Sequence, residues 1–416
     1  MTDLKPTLTV LRGTGLMLNI VVGAGLLALP GLTVGVAGDQ ALWAWFVCAL
    51  AAMPLLLVFV ILGGQYPDAG GIAHFVKLAF GEGGYIAASL IFLGAVAFGG
   101  PAIALTAGHY VAAITGGAPA AIASGIVILA GLVLTTSPDM AARLSTLIAS
   151  TILIVLLAII GIGMAGVDWP SATANIAPVT EISLPVVLAP FMMIFFAFTG
   201  WEVASGLSEE FRNPKRDFPR AMLLSFAVAI ALYLAMMFLA QTAPDITSHE
   251  AVFVEILGKG LGAAGGILVA GIAALVITAN LMGAIWAVSR MVFALSREGH
   301  LLIHLKLNAA GAPVSSVGLT SLIILLVLAA DSIDLLNIEG MLAIAGQNFF
   351  ILYGLAAVVL FRHARHRRDR VVAALAMLVV AALLVVEGLS SLLYPAGLAL
   401  AGIAGLSVRR RMAASG

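Results

Sequence analysis

Two stretches of this chain set glycine, polar and aromatic residues in the middle of otherwise apolar runs. The first is Asn19-Ile20-Val21-Val22-Gly23-Ala24-Gly25-Leu26, with Pro30 about one turn on; the second is Phe195-Phe196-Ala197-Phe198-Thr199-Gly200-Trp201-Glu202, preceded by Pro190. A helix broken inside an apolar medium frees peptide groups that need partners, so such a break is tolerated only where it lines a cavity. It presents N–H groups at the start of one half-helix, which suit a carboxylate, and carbonyls at the end of the other, which suit an ammonium group. An α-amino acid carries both. Tight packing of small residues explains one Gly-x-Gly taken alone. Two interrupted segments in corresponding positions point instead to a transporter binding site.

The elements that must position these segments are membrane helices. Of 416 residues, 62% are apolar and 10% charged, against roughly 25% charged in soluble domains, which excludes a water-soluble globule. Charge-free stretches run from Arg12 to Asp39, Asp39 to Asp68, Glu82 to Asp139, Arg143 to Asp168, Glu181 to Glu202, Arg220 to Asp245, Lys259 to Arg290, Lys306 to Asp331, Glu339 to Arg362, Arg370 to Glu387 and Glu387 to Arg409. Crossing the hydrocarbon takes about 20 residues of helix, and the stretch between Glu82 and Asp139 holds two spans with a turn at Thr115-Gly116-Gly117-Ala118-Pro119. The expected architecture is therefore an all-α membrane protein with twelve spans. A β-barrel would need short alternating segments, which these continuous runs are not. The first apolar run is too long for a secretory signal and is followed by many more. Twenty basic against twenty acidic residues leave no excess to suggest nucleic-acid binding, and the lone Cys48 reads as a small buried hydrophobe.

Twelve spans sort the loops by charge. One side collects Lys5, Arg12, Lys77, Arg143, Arg212 to Arg220, Arg290, Arg297, Lys306, the run Arg362 to Arg370 and Arg409 to Arg411; the other holds Lys259 alone among basic residues. By the positive-inside rule both termini are cytoplasmic, in a multi-pass protein of the cell (inner) membrane. The basic run 362–370 reads as an orientation signal rather than a lipid-recognition patch. Spans one and six lie five helices apart, the spacing of two five-helix repeats of inverted topology. That divides the chain into a transport core over 1–361, with repeat one at about 10–167 and repeat two at about 184–361, followed by 362–416 with a basic loop, helices eleven and twelve and a short basic tail.

Several motifs then match a known group in order and spacing. They are Gly23-Ala24-Gly25-Leu26, Tyr66-Pro67-Asp68-Ala69-Gly70-Gly71, Phe198-Thr199-Gly200-Trp201-Glu202, Glu209-Glu210-Phe211-Arg212-Asn213-Pro214 continuing to Ala221, and Ala294-Leu295-Ser296-Arg297-Glu298-Gly299. Over residues 10–361 the chain resembles the amino acid, polyamine and organocation (APC) transporter superfamily. The loop Gly70-Gly71-Ile72-Ala73-His74-Phe75-Val76 looks most like the bacterial amino-acid efflux branch, though His74 stands where many relatives carry an aromatic. The resemblance implies a 5+5 inverted-repeat core with discontinuous helices one and six, and two additional C-terminal helices.

It also implies a site. The amides of Gly23, Ala24, Gly25 and Leu26 would hold a substrate carboxylate, and carbonyls near Ile20, Phe195 and Phe198 the ammonium, with Thr199 and Gly200 at the break and Trp201 beside it as the aromatic that closes over the substrate. Phe196 reads as ordinary packing. Glu202 is the carboxylate deepest in any span, and two roles stay open for it: holding the break as a cap on the second half-helix, or exchanging protons as a coupling and gating residue. The pocket should lie among spans one, three, six, eight and ten, near Phe98, Gly99, Gly100 and Pro101 and near Thr278, Asn280 and Met282. His109 reads as a packed histidine at the outer end of span three, and Arg290 as a cation reaching the cytoplasmic surface or a loop acid.

Apart from Glu202 no charge lies at that depth, and a dibasic substrate would need a buried counter-charge. Neutral apolar amino acids are the expected substrates, and the efflux branch points to methionine, leucine, isoleucine and valine. Span five, Leu144 to Val167, contains no lysine that could replace a sodium ion, and Thr278 and Ser289 are weak grounds for a sodium site. A cycle driven by protons or membrane potential, with antiport as one form, is the expectation. The alternatives are an uptake permease or exchanger of the same superfamily, a cationic amino acid or polyamine transporter, or a membrane protein that does not transport. A channel would need a ring of charge or a carbonyl filter. An enzyme would need a nucleophile with a base or a metal cluster, and the seven histidines lack such spacing. No cofactor, metal or nucleic acid is expected as a partner; the partners are the bilayer, an amino acid and a proton. The oligomeric state is left open.

Overall fold

The computed structural model describes residues 8–23, 25–66, 71–136, 153–243, 246–300, 305 and 313–415. Lys5, Asp68, Asp139, Arg143, Asp245, His304, Lys306 and the first part of the expected fifth span, 144–152, lie outside them. Among the described residues the chain is helical, and the one strand-like pairing joins Leu8 to Phe211. Nine helical stretches there are long and apolar enough to cross a membrane, with two shorter apolar helices besides. The expectation of twelve spans is met differently along the chain. Its first two fall within α1 (Val10–Val21), α2 (Gly25–Ala37) and α3 (Ala41–Gln65), and its fourth and fifth on the shorter α5 (Pro119–Thr136) and α6 (Leu153–Ala165).

The remaining long helices are α4 (Gly71–Thr115), α11 (Pro214–Thr242), α12 (Val252–Arg297), α13 (Val314–Asp331), α14 (Ile338–His363), α15 (Arg367–Glu387) and α16 (Leu393–Ser415). Short helices α7 (Trp169–Ala174), α8 (Leu184–Leu188), α9 (Phe191–Phe195) and α10 (Trp201–Ala204) lie between α6 and α11. α4 has 45 residues and α12 has 46, and each turns sharply ten residues after its start, at Gly81 (φ 64°) and Gly262 (φ 74°). Only glycine takes that left-handed conformation without strain. Each long helix thus consists of a short arm, 71–80 or 252–261, and a long arm.

α4, α12 and α14 form the centre of the bundle, and α15 and α16 lie at its periphery, the least buried of the long helices. Small residues let backbones approach where no water competes for the contact. At Gly346 a Cβ would stand 1.9 Å from the Met192 carbonyl oxygen, so α14 and α9 touch backbone to backbone. At the N-terminal end Leu8 donates its N–H to Glu210 (2.9 Å) and accepts from Arg212 (3.3 Å), while the Phe211 ring fills the space that Gly13 leaves. The basic run after α14 packs against the ends of α3 and α4. Arg365 lies over Tyr66, Arg362 lies over Phe80 and reaches the Ala79 carbonyl, and the buried Asp369 accepts from Gln65 at 2.8 Å.

Gly346→Val is expected to destabilise the protein by about 1–3 kcal/mol, as overpacking does, and to lower its melting temperature in detergent. An unchanged melting curve would mean that α9 and α14 separate freely.

Candidate substrate site

Both expected breaks are present in the structure. α1 ends at Val21; Val22 (φ −79°, ψ 82°) donates back to Leu18 at 2.8 Å, Gly23 donates to Val21 at 2.9 Å, and the helix resumes at Gly25. Ala24, one of the expected amide donors, lies outside the described residues. In the second break α9 tightens into a 3₁₀ turn over Phe196–Phe198, Thr199 is extended (φ −93°, ψ 172°), Gly200 is left-handed (φ 102°), and α10 starts at Trp201. A side chain at position 200 would meet the Ile20 carbonyl oxygen and Val21 at 3.3 Å, so the two breaks touch.

Three side chains hold this junction. The Tyr233 hydroxyl, from α11, lies 2.7 Å from the Ala197 carbonyl oxygen and 3.2 Å from that of Val21, and its one hydrogen serves these two freed carbonyls. Thr199 donates to the Phe196 carbonyl at 2.7 Å. Glu202 is 3% exposed and sits in the first turn of α10. Its Oε2 accepts the Gly200 N–H at 2.9 Å and the hydroxyl of Tyr353 from α14. That is a cap at a helix N-terminus joined to a neighbouring helix.

Beside the junction lies a cavity of about 310 Å³, within the small-molecule range of roughly 300–1,000 Å³. Gly99 and Gly100 of α4 make room for it, and Phe92, Val96, Ile103 and Phe349 supply apolar walls. Along α12 it extends from Val276 to Val288, towards the end that carries Arg297. The spans expected to enclose it, one, three, six, eight and ten, all contribute, and Tyr233 adds a further one.

Ile20, Gly23, Gly25, Leu26, Thr199, Gly200 and Glu202 line this cavity. Phe195, Phe198 and Trp201 do not. Phe195 packs between Phe350 and Tyr353, Phe198 against Trp45 and Tyr233, and Trp201 against Phe226. Phe196, read from the sequence as packing, faces the cavity instead, with its ring beside Gly25 and Gly99. Side chains three apart share a face of a helical turn, so Phe195 and Phe198 lie together, and the structure turns that face to the aromatic packing and Phe196 to the cavity.

Of the pocket residues expected on span eight, Asn280 lines the cavity, Thr278 donates to its own helix at Ala274 (2.6 Å), and Met282 is buried. Ser289 likewise donates to Trp286 (2.9 Å), and Arg290 stands over the Trp286 ring at 4.2 Å. Phe98 packs edge-on against Tyr394, and His109 is half-buried beside a second, shallower hollow with Glu255 and Lys259. Sequence reasoning passed over Tyr233 and Tyr353 because nothing in the order of residues marks which tyrosine of a distant helix will face a break.

Helices interrupted beside a mostly apolar cavity are the arrangement of a membrane transporter. The chain belongs to the amino acid permease family, whose description, "Amino acid permease", matches residues 8–408. It is 29% identical over 411 residues to the uncharacterized amino acid permease YecA of Bacillus subtilis, covering 96% of this chain and 95% of that protein. It is 35% identical over 236 residues to the L-methionine/branched-chain amino acid exporter YjeH of Escherichia coli, covering 56% of each chain. A methylthioribose transporter of Bacillus subtilis is 27% identical over 329 residues, 72% of this chain and 69% of that protein. The chain is thus an amino acid transporter of the APC superfamily and not an enzyme.

Loss of one hydrogen bond in Tyr233→Phe should lower stability by about 1 kcal/mol. Glu202→Ala should lower it further, because it leaves the Gly200 N–H and the Tyr353 hydroxyl without their acceptor. Unfolding of the two variants in detergent, followed by tryptophan fluorescence, measures the order; equal stability of Glu202→Ala and the parent chain would remove the cap.

Proposed function

We propose that the chain is a secondary active transporter that exports neutral apolar L-amino acids, methionine, leucine, isoleucine and valine, from the cytoplasm by alternating access. The observation that carries the substrate class is the composition of the cavity wall. Glu202 is its one carboxylate and is already held by two donors, while the remaining lining is backbone, glycine, alanine, aliphatic or aromatic apart from a few neutral polar side chains. A cationic side chain would enter such a wall without a counter-charge, at a cost of several kcal/mol. A branched or thioether side chain needs only dry contact. The methionine and branched-chain amino acids that the YjeH exporter is named for agree with this class, and its export suggests the direction.

The substrate zwitterion lies across the junction of the two breaks. Its carboxylate faces the start of α2, around Gly23, Gly25 and Leu26; its ammonium faces carbonyls at the ends of α1 and α9, near Ile20, Phe195 and Phe198. Thr199, Gly200 and Trp201 shape the break from behind, and Phe196 replaces Trp201 as the aromatic nearest the substrate. Twelve spans, with repeats at about 10–167 and 184–361, are supported by the paired architecture of α4 and α12, which share length, a short first arm and a left-handed glycine at the same offset. Helices over 362–416 are additions outside that core. Both termini face the cytoplasm, on the arginine-rich side of the inner membrane.

The cycle is driven by protons, in the manner of an antiporter. When ionised, Glu202 can accept from both the Gly200 N–H and the Tyr353 hydroxyl, since a carboxylate only accepts. Protonation weakens the acceptor and loosens the tie between the second break and α14, which couples a proton to movement of that half-helix.

Counterflow in proteoliposomes with labelled methionine, leucine and arginine, under imposed proton or sodium gradients, tests the reading. Methionine and leucine should exchange and respond to the proton gradient; arginine counterflow at an equal rate would overturn the substrate class, and a response to sodium alone would overturn the coupling. Glu202→Gln should flatten the pH profile of transport while the protein stays folded. Gly25→Val should abolish substrate binding, because the added side chain grows from the start of α2 towards the Phe196 ring, where a Cβ is already 3.6 Å away.

A further inference from the structure

The cavity wall carries four polar side chains, from Thr199, Glu202, Tyr233 and Asn280, and three of them are occupied. Thr199 donates to Phe196, Tyr233 serves the Ala197 and Val21 carbonyls, and Glu202 accepts from Gly200 and Tyr353. The Asn280 amide makes no hydrogen bond with any described residue, although it is half-buried and borders the cavity. A primary amide offers two donor hydrogens and an acceptor oxygen, all of them available to a molecule that enters the cavity. Its neighbours along the same face of α12, Val276, Ala279, Gly283 and Ala284, supply no partner.

Its position is specific. Asn280 stands against Gly23, where an added Cβ would lie 2.8 Å from Nδ2 and 3.2 Å from Oδ1. Gly23 stands two residues before the first residue of α2, so the amide lies at the end of the break from which that helix starts. Any side chain at position 23 would displace it.

We propose that Asn280 is a substrate-positioning residue whose Nδ2 donates a hydrogen bond to the α-carboxylate of the bound amino acid, on the side opposite the α2 amides. The inference rests on the proposed amino-acid site and adds a side-chain contact to one otherwise made of backbone. It also gives the site a neutral reader. The amide satisfies a carboxylate without adding net charge to the cavity, so the zwitterion enters with its own charges balanced. A carboxylate at this place would repel it.

The test uses the full chain in lipid nanodiscs, with binding of labelled leucine and competition by unlabelled leucine and by 3-methylbutylamine, which keeps the ammonium group and side chain but has neither carboxylate nor carbonyl. Asn280→Ala should weaken leucine binding about 10-fold to 100-fold, the scale of a hydrogen bond to a charged group, and leave 3-methylbutylamine competition within about twofold of the parent chain. Asn280→Asp should abolish leucine binding. Equal losses for leucine and 3-methylbutylamine would place the amide away from the carboxylate and overturn the proposal, as would unchanged leucine binding by Asn280→Ala. If the parent chain binds neither leucine nor methionine, the amino-acid site itself falls; if it binds them and the variant binds them equally, only the role of Asn280 falls. Should Asn280→Ala lose its monodisperse elution, Asn280→Ser carries the same comparison.

Discussion

Peptide groups released inside an apolar bundle must find partners, and the arrangement around the cavity follows from that requirement. Two helices stop and restart where they touch, between Ile20 and Gly200. Left alone, each unpaired carbonyl or amide there would cost about 1–3 kcal/mol. Tyr233, Thr199 and Glu202 answer part of that demand from the protein itself. The Asn280 amide, which bonds to no described residue, borders the cavity next to the start of α2.

The same requirement explains why the junction is braced from several helices. Tyr233 reaches in from α11 and Tyr353 from α14, so movement of either broken helix disturbs hydrogen bonds to a helix that is continuous. At the N-terminal end of α1, the Leu8 pairing with Glu210 and Arg212 ties the first half-helix to the segment that follows α10. The halves on that side are therefore linked at both ends, through the touching breaks and through this short backbone bridge.

Glycine performs different physical tasks in this bundle. At Gly200, Gly81 and Gly262 it supplies a left-handed backbone where the chain must change direction. At Gly346 it permits backbone contact with Met192, and at Gly99 it leaves space that the Phe196 ring and the cavity share. Aromatic rings then fill the volume behind the breaks: Trp45, Phe198 and Tyr233 pack on one side, and Phe191, Phe195, Phe350 and Tyr353 on the other. These packed rings separate the junction from the apolar surroundings and leave the cavity side open for a ligand.

Composition and the position of charge determined that this chain is an all-helical membrane protein, because few residues other than a continuous apolar helix satisfy their backbone in lipid. The glycines at 23, 25 and 200 likewise announced both breaks, since helix propensity and backbone freedom are local properties of a residue type. Which ring faces the cavity was not legible in that way. Phe196 lines it while Phe195 and Phe198 pack against Tyr353 and Tyr233, and the rotation of a short half-helix about its axis is set by the helices it packs against rather than by residue order. Nor could the chain alone reveal that Tyr233 and Tyr353 would meet carbonyls and a carboxylate far away in sequence, or that Asn280 would be left without a partner among the described residues. Those facts depend on which helices touch, and only the tertiary structure decides that.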